Sequence, residues 1–221
     1  MSTSKYFVHI LLPILLGIAL QGDAQTDVSA KLLLDKVNDA YAGYKTIQAD
    51  FKIAVQQQPQ QTDHYTESGT IYMEPSAGKY YITMNSQDLI SDGKTQWMVL
   101  KEEEEVQITE VDHSSDAISP VNIFSFYKKG YKYVSAPNER VANNQLQVVE
   151  LTPEDAHAPY FKIKLRVHAR THLINDVTVF DKSGNKYVYS IQNTKGSPQI
   201  GDEKFVFKKA NYPGMEIVDL R

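Results

Sequence analysis

The spacing of apolar residues changes from a helical to an alternating pattern near residue 47. From Asp27 to Tyr44 they recur at helical spacing, which predicts an amphipathic helix capped by Thr26 or Asp27 and ended at Gly43. From Ile47 onward they alternate with polar residues, as in strands that bury one face. The pattern therefore predicts one long helix followed by a mostly β chain.

Turn signals divide the β region into about ten or eleven antiparallel strands, the last two at 205–207 and 216–218. The strands alternate apolar and polar residues, so the sheet is expected to be wet outside and apolar inside. Strands at this spacing, joined by short turns, are typical of a large curved sheet or barrel. No repeat and no low-complexity linker interrupts them, which indicates a single domain.

The stretch from Leu89 to Leu100 has the pattern of a tight hairpin. Its Asp92-Gly93 turn is a pair that favours positive φ at both central residues. In the second arm Met98 faces one way, and Trp97 and Val99 face the other. Because Trp97 is the only tryptophan, we predict that its ring helps to build either a core or a cavity.

A segment between residues 112 and 129 interrupts the strands. It begins polar, and Pro120 stands where a first helical turn would begin. Apolar residues follow up to Tyr127, and Lys128, Lys129 and Gly130 end the run. The pattern predicts a short apolar helix that covers an open sheet.

The first 24 residues have the pattern of a secretion signal. Lys5 precedes an apolar run of 11 residues, from Ile10 to Leu20, which is too short to span a bilayer. Small residues at Gly22 and Ala24 predict cleavage after Ala24. We therefore expect a cleaved signal over residues 1–24, and one exported, soluble domain over residues 25–221.

The amino-acid composition argues against several classes of function. The formal charge of −4 and the lack of a basic patch with interleaved aromatic residues argue against nucleic-acid binding. The absence of cysteine excludes disulfides, thiol nucleophiles, cysteine metal sites and a lipid anchor on an N-terminal cysteine.

The sequence gives little support for a catalytic or a metal site. His168 and His172 have the spacing of helical metal ligands, but they flank a turn between strands, which favours surface histidines. The acidic run from Glu102 to Glu105 fits a solvated hairpin tip better than a cation site. No G-x-S-x-G is present. We therefore expect no enzyme and no cofactor.

Apolar residues on the sheet leave two possibilities open. Such residues most often form a filled core. A large barrel lined by the same residues can instead enclose an apolar ligand.

The order of motifs resembles the LolA family of periplasmic lipoprotein carriers. Two of the motifs are Ser68-Gly69-Thr70-Ile71-Tyr72 and the hairpin segment from Ile90 to Trp97. The remaining motifs, in chain order, are Tyr44-Lys45-Thr46-Ile47, Ala49-Asp50-Phe51, Ser119-Pro120, Leu151-Thr152-Pro153, Phe205-Val206-Phe207 and the tail from Pro213 to Arg221. The resemblance covers most of the expected exported domain.

This resemblance implies an unclosed antiparallel β-barrel, covered by the N-terminal helix and the short central helix as a lid. It implies acylated lipoproteins as cargo, received from an inner-membrane lipoprotein-releasing ABC exporter and passed to an outer-membrane acceptor by a monomeric carrier. The residues expected to line an acyl-chain cavity are Phe51, Ile53, Ile71, Met73, Tyr80, Ile82, Trp97, Val99, Ile123, Phe124 and Leu165. Those expected to form the lid, which moves on loading, are Pro120, Val121, Phe124 and Tyr127.

Position 74 departs from the family. Members often carry a basic residue there that bonds to the lid, and this chain has Glu74 before Pro75. Glu74 cannot donate that hydrogen bond, so lid control is expected to differ. Two alternatives stay open at this point: a lipid- or glycolipid-binding sensor or transport domain of the same fold, and a hydrolase with an unrecognised site.

Overall fold

The part of the chain that the structure describes folds as one long helix and a single twelve-stranded sheet. The computed structural model describes residues 27–56, 65–112 and 118–221, so the predicted secretion signal lies outside the described residues. The elements are α1 (Val28–Ala42), β1 (Ile47–Gln56), β2 (Thr66–Glu74), β3 (Lys79–Met84), β4 (Gln87–Asp92), β5 (Thr95–Leu100), β6 (Glu105–Glu110), β7 (Tyr131–Val141), β8 (Asn144–Pro153), β9 (Tyr160–His168), β10 (Ile174–Asp181), β11 (Lys186–Gly196) and β12 (Glu216–Asp219).

The strand order explains why the sheet stays open. The order is β12-β6-β5-β4-β3-β2-β1-β11-β10-β9-β8-β7, so β1 joins the two halves of the chain by pairing with β2 and β11. β7 and β12 form the two edges and do not pair with each other. The predicted unclosed, mainly antiparallel barrel is confirmed, except that β12 runs parallel to β6.

α1 covers one face of the sheet, which we call the inner face. Its apolar stripe is buried from Ala30 to Tyr41, and it packs with residues of both halves of the sheet in the main core. Asp27 caps the helix by accepting a hydrogen bond from the Ser29 backbone N–H, and Gly43 ends it. The helix, its cap and its end are therefore as predicted.

The hairpin of β4 and β5 is confirmed, but its turn differs from the predicted type. Of the two central turn residues, Asp92 and Gly93, only Gly93 has a positive φ angle. The Asp92 side chain accepts hydrogen bonds from the backbone N–H groups of Lys94 and Thr95 instead. The short polar side chain thus bonds the local backbone itself, which makes the second positive-φ residue unnecessary.

The predicted central α-helix is wrong. Residues 120–125 form successive turns, and only Phe126–Lys128 is a short 3-10 helix. The Asn122 side chain accepts from the Ser119 backbone N–H, and the Ser125 hydroxyl donates to the Asn122 carbonyl at 3.3 Å. Asparagine and serine side chains compete for backbone groups in this way, which disfavours a regular helix.

A second cluster lies on the opposite, outer face of the sheet. Because neighbouring residues of a strand point to opposite faces, Met98 packs on the main core while Trp97 and Val99 belong to the second cluster. Phe207 stacks on Trp97 with ring centroids 6.3 Å apart. Phe207 therefore packs on the outer face, just after the 3-10 helix Asp202–Phe205. Residues 205–207 do not form the predicted strand.

Elsewhere the outer face carries ion pairs. Arg166 contacts the buried carboxylate of Asp176 at 2.8 Å and the partly exposed carboxylate of Glu139 at 3.0 Å. Glu139 also forms an ion pair with Lys164. These bonds compensate the cost of burying Asp176. Across the residues that the structure describes, no helix is long and apolar enough to cross a membrane.

Candidate functional site

Two cavities open beside the central segment, on its two sides. We call residues 118–128 the strap. The first cavity has a volume of about 800 Å³ and the second about 830 Å³, within the range of small-molecule sites. The first is lined mainly by residues of the first half of the chain, and the second by residues of β7 to β11.

The strap is anchored through its apolar side chains. Ile123, Phe124 and Tyr127 are buried in the main core. The Phe124 ring lies 4.8 Å from that of Tyr41 on α1, and the Tyr189 hydroxyl donates to the Ile118 carbonyl at 3.2 Å. The first cavity lies between the strap, the end of α1 and the sheet, and the second lies between the strap and the second half of the sheet.

The wall of the first cavity combines apolar and polar groups. Met73 and Tyr80 contribute from β2 and β3, and the Tyr80 hydroxyl donates a hydrogen bond to Gln96 on β5. Burial raises the pKa of Tyr80 to about 12, so its hydroxyl stays neutral at ordinary pH. At the rim, Lys79 pairs with Asp202 at 2.9 Å.

The second cavity is rich in tyrosine. The hydroxyls of Tyr131 and Tyr160 lie 2.7 Å apart, within hydrogen-bond distance, and Tyr187 and Tyr189 extend the wall along β11. Burial raises the pKa of Tyr189. These rings give an apolar wall with neutral hydroxyls, which suits a chain-like apolar ligand better than a charged one.

Three strap residues line both cavities: Asn122, Ser125 and Lys128. Ser125 and Lys128 are exposed, so they form a polar rim where the two cavities meet. Tyr127 lies deeper, and its hydroxyl has no hydrogen-bond partner among the described residues. Burial raises the pKa of Tyr127, so this hydroxyl is also neutral.

The residues that were predicted to line the cavity or form the lid lie in three different environments. Met73, Tyr80 and Phe124 line the first cavity, and so does Val121 of the predicted lid. The following belong to or pack against the main core without lining either cavity: Phe51, Ile53, Ile71, Ile82, Ile123, Leu165 and the lid residue Tyr127. Pro120 is buried and lines neither cavity.

Two residues of the predicted set require a correction. Trp97 and Val99 belong to the outer cluster and pack towards the C-terminal segment. Both faces of the hairpin are apolar, so alternation separated the two faces correctly but did not indicate which one points inward. Gln96 and Met98 take the inner face instead.

Sequence reasoning missed the second cavity. Its tyrosines lie on three different strands, β7, β9 and β11. The high tyrosine count of 14 was a signal, but a strand tyrosine is equally typical of plain sheet packing. Only the pairing of distant strands brings these rings to one wall.

Glu74 makes an ion pair within the sheet. Its carboxylate lies 3.7 Å from the Lys79 ammonium on the neighbouring strand, with Glu74 and Lys79 directly opposite in register. Lys79 thereby supplies a cation to the rim of the first cavity, on the strand next to the position where family members often carry a basic residue.

The described residues include no group of three or more histidine or acidic side chains that could hold a metal ion. His168 and His172 flank the turn between β9 and β10 as predicted. Glu102 to Glu104 form the predicted hairpin tip before β6. The cavity walls beside the strap can bury apolar groups, and the rim where the two cavities meet carries polar groups.

Comparison with known proteins gives one family match. Residues 42–208 match the family of the outer membrane lipoprotein carrier protein LolA. A search of curated proteins finds no match. The matched range includes every strand from β1 to β11 and the whole strap.

Several solved structures are similar to this chain at low sequence identity, and the first of them, with a TM-score above 0.5, shares the fold. A conserved protein from Thermus thermophilus, described as uncharacterised, is 10% identical with TM-score 0.58, covering 86% of this chain and 99% of that chain. A LolA superfamily protein from Nitrosomonas europaea is 13% identical with TM-score 0.45, covering 80% and 97%. A chain of the MucA/MucB complex from Pseudomonas aeruginosa is 18% identical with TM-score 0.46, covering 81% and 61%.

Proposed function

Since this chain belongs to the LolA family, we propose that it is a periplasmic carrier that binds the acyl chains of lipoproteins beside the strap. The observation that carries the proposal is the pair of cavities between the strap and the sheet, the first of which also reaches the end of α1. Each has an apolar wall and a polar rim, which is the arrangement that an acylated ligand needs.

The free energy gained by burying acyl chains limits how completely the carrier can enclose them. Burying one methylene contributes about 0.8 kcal/mol, so a chain of about 15 methylenes would gain on the order of 12 kcal/mol. Three fully buried chains would exceed the practical limit of roughly −18 to −21 kcal/mol for non-covalent binding. A carrier must release its cargo, and we therefore propose that the chains are only partly buried.

The strap is the element that we expect to move on loading. It holds no regular helix, and successive turns with few backbone hydrogen bonds open more easily than a helix does. Its anchors are side chains that pack against α1 and the core, so cargo can replace these contacts with equivalent apolar ones.

The cellular role follows from the family and from the predicted secretion signal. We propose that the carrier receives lipoproteins from an inner-membrane ABC exporter and delivers them to an outer-membrane acceptor. Residues 25–221 would then be the exported domain, acting as a monomer and without catalysis.

The proposal is tested by cargo recovery. The protein, purified from periplasm, should carry acylated lipoproteins detectable by mass spectrometry. Val121→Glu places a charge in the wall of the first cavity and should lower recovery at least tenfold, because a buried charge opposes acyl-chain entry. Val134→Glu is the matched control, since Val134 is 48% exposed and lies outside both cavities.

Equal recovery from the two variants would contradict the assignment of the cavity. Absence of any acylated molecule from the unmodified protein would contradict the carrier function itself. A thermal melt of each variant shows whether it is folded, so loss of cargo is not confused with loss of structure.

A further inference from the structure

The two cavities are nearly equal in volume and share one polar rim. About 800 Å³ lies on one side of the strap and about 830 Å³ on the other. The strap residues Ser125 and Lys128 line both. A single chain would occupy one compartment, whereas a molecule with two chains joined at a polar group matches the whole arrangement.

The shared rim is positively charged in an otherwise acidic protein. The chain has a formal charge of −4, yet Lys128 and Lys129 lie side by side and exposed at the end of the strap. Neither makes an ion pair within the described part of the chain. Two exposed ammonium groups that pair with no acidic side chain among the described residues are suited to bind an anion.

Acidic residues do not cancel this charge at the rim itself. Glu110 and Asp112 line only the first cavity, and Asp155 lines only the second. Lys128 is the one charged side chain common to both cavities. The polar group of a two-chain ligand would therefore meet a cation where its chains diverge.

We propose that these cavities take a diacyl phospholipid that straddles the strap, with one acyl chain in each cavity and the phosphate against Lys128 and Lys129. This inference rests on the proposed function in that both require acyl chains to enter the cavities. It adds a second ligand class and a subsite for the phosphate. The Ser125 hydroxyl, exposed at the same rim, donates to the Asn122 carbonyl at 3.3 Å and can turn from that bond to a phosphate or ester oxygen.

Native mass spectrometry of the purified, delipidated protein tests the two-compartment arrangement. We expect one dipalmitoyl phosphatidylglycerol or two palmitates per protein. Thr109→Trp partly fills and obstructs the first cavity from β6, and Ala158→Trp does the same in the second. Each variant should bind one palmitate and should lose phosphatidylglycerol affinity at least tenfold.

Pro159→Trp is the second variant for the second cavity, because Pro159 is exposed at its rim and tolerates bulk more readily than the buried Ala158. Unchanged phosphatidylglycerol binding after filling either cavity would overturn the proposal, since both chains would then share one compartment. A single palmitate per unmodified protein would overturn it as well.

The phosphate subsite is tested with charge variants and a lipid that lacks phosphate. Lys128→Gln combined with Lys129→Gln should weaken phosphatidylglycerol binding about tenfold, since each exposed ionic contact contributes up to roughly 1 kcal/mol. Dipalmitoylglycerol binding should not change. Lys36→Gln is the control, because Lys36 is exposed on α1 and lines neither cavity.

Equal weakening of both lipids by the lysine substitutions would overturn the phosphate subsite. A synthetic triacylated lipopeptide separates the two proposals. If the lipopeptide binds and phosphatidylglycerol does not, the phospholipid inference fails while the carrier function stands. If neither lipid nor lipopeptide binds, the carrier function fails with it.

Discussion

Gly69 shows how a single residue can be required by the packing of a sheet. An added Cβ at this position would lie 2.0 Å from the Thr83 carbonyl oxygen and 2.8 Å from the Phe51 ring. Phe51 is the direct cross-strand neighbour of Gly69, so its ring covers the space that a side chain would fill. An aromatic ring over a strand glycine is a known stabilising arrangement.

Gly69→Ala should therefore destabilise the protein. Overpacking of this kind costs about 1–3 kcal/mol, which corresponds to a fall in melting temperature of several degrees for a domain of this size. Thermal unfolding followed by circular dichroism measures it. Gly43→Ala is the control, since Gly43 has φ −72° and its nearest contact would be 3.9 Å away. Equal melting temperatures would refute the close packing.

Residue-level reasoning from sequence succeeded where one face of an element was clearly apolar. The stripe of α1 was predicted in full because its opposite side is polar. It failed at Trp97, because Ile90 and Trp97 on one face of the hairpin are as apolar as Leu89 and Met98 on the other. Local alternation contains no information about which of two apolar faces α1 covers.

At the scale of elements, Asp27 links the helix to the edge of the sheet. Its side chain accepts from the Ser29 backbone N–H at 2.7 Å and from the Ser135 backbone N–H at 2.9 Å. Its own backbone N–H donates to the Tyr133 carbonyl at 3.2 Å. Asp27 thus satisfies donors of the first helical turn and of the edge strand β7 at once.

Asp27→Ala should lower the melting temperature by several degrees at pH 7, because both donors lose their partner. Asp35→Ala, which removes only an exposed ion pair with Lys31, should have little effect. Hydrogen bonds, first the one from the Ser135 backbone, lower the pKa of Asp27 from its ordinary value of 3.8.

A carboxylate with a lowered pKa stabilises the fold above its ordinary pKa and loses that effect as the pH falls. The difference between Asp27→Ala and the unmodified protein should therefore shrink below pH 3.8. A difference independent of pH would show that the ionised cap is not responsible.

The strap shows the limit of prediction at this scale. Its apolar residues and its position between strands were clear from sequence, and so was its role in covering the sheet. Its conformation was not, because the competition between the Asn122 side chain and the backbone is decided by a few local hydrogen bonds.

At the scale of the molecule, the sheet separates two apolar clusters. The inner one contains α1, the strap and the cavity walls, and the outer one is formed by β4 to β6 with the C-terminal segment. Trp97 reports on the outer cluster through Phe207, which in turn stacks on Tyr212 at 5.4 Å.

The fluorescence emission of Trp97 should therefore not change when cargo binds. Binding of palmitate should leave the emission maximum of Trp97 unchanged, whereas Phe207→Ala should shift it to longer wavelength by exposing the ring. Val206→Ala is the control, since Val206 is 45% exposed and does not belong to the outer cluster. A shift on palmitate binding in the unmodified protein would place the ring beside the ligand instead.

Periodicity and turn chemistry, which are local properties of the chain, were enough to predict the helix and the strand-rich architecture. The ordered motifs indicated the family, and the open barrel was predicted from that resemblance. Which face of each strand points inward, and where space remains beside the strap, depend on tertiary packing. Tyr80 of the first half and Tyr187 of the second lie on opposite sides of that strap because β1 pairs with both β2 and β11. Cavities are gaps between elements distant in sequence, and their positions depend on long-range packing that no local pattern specifies.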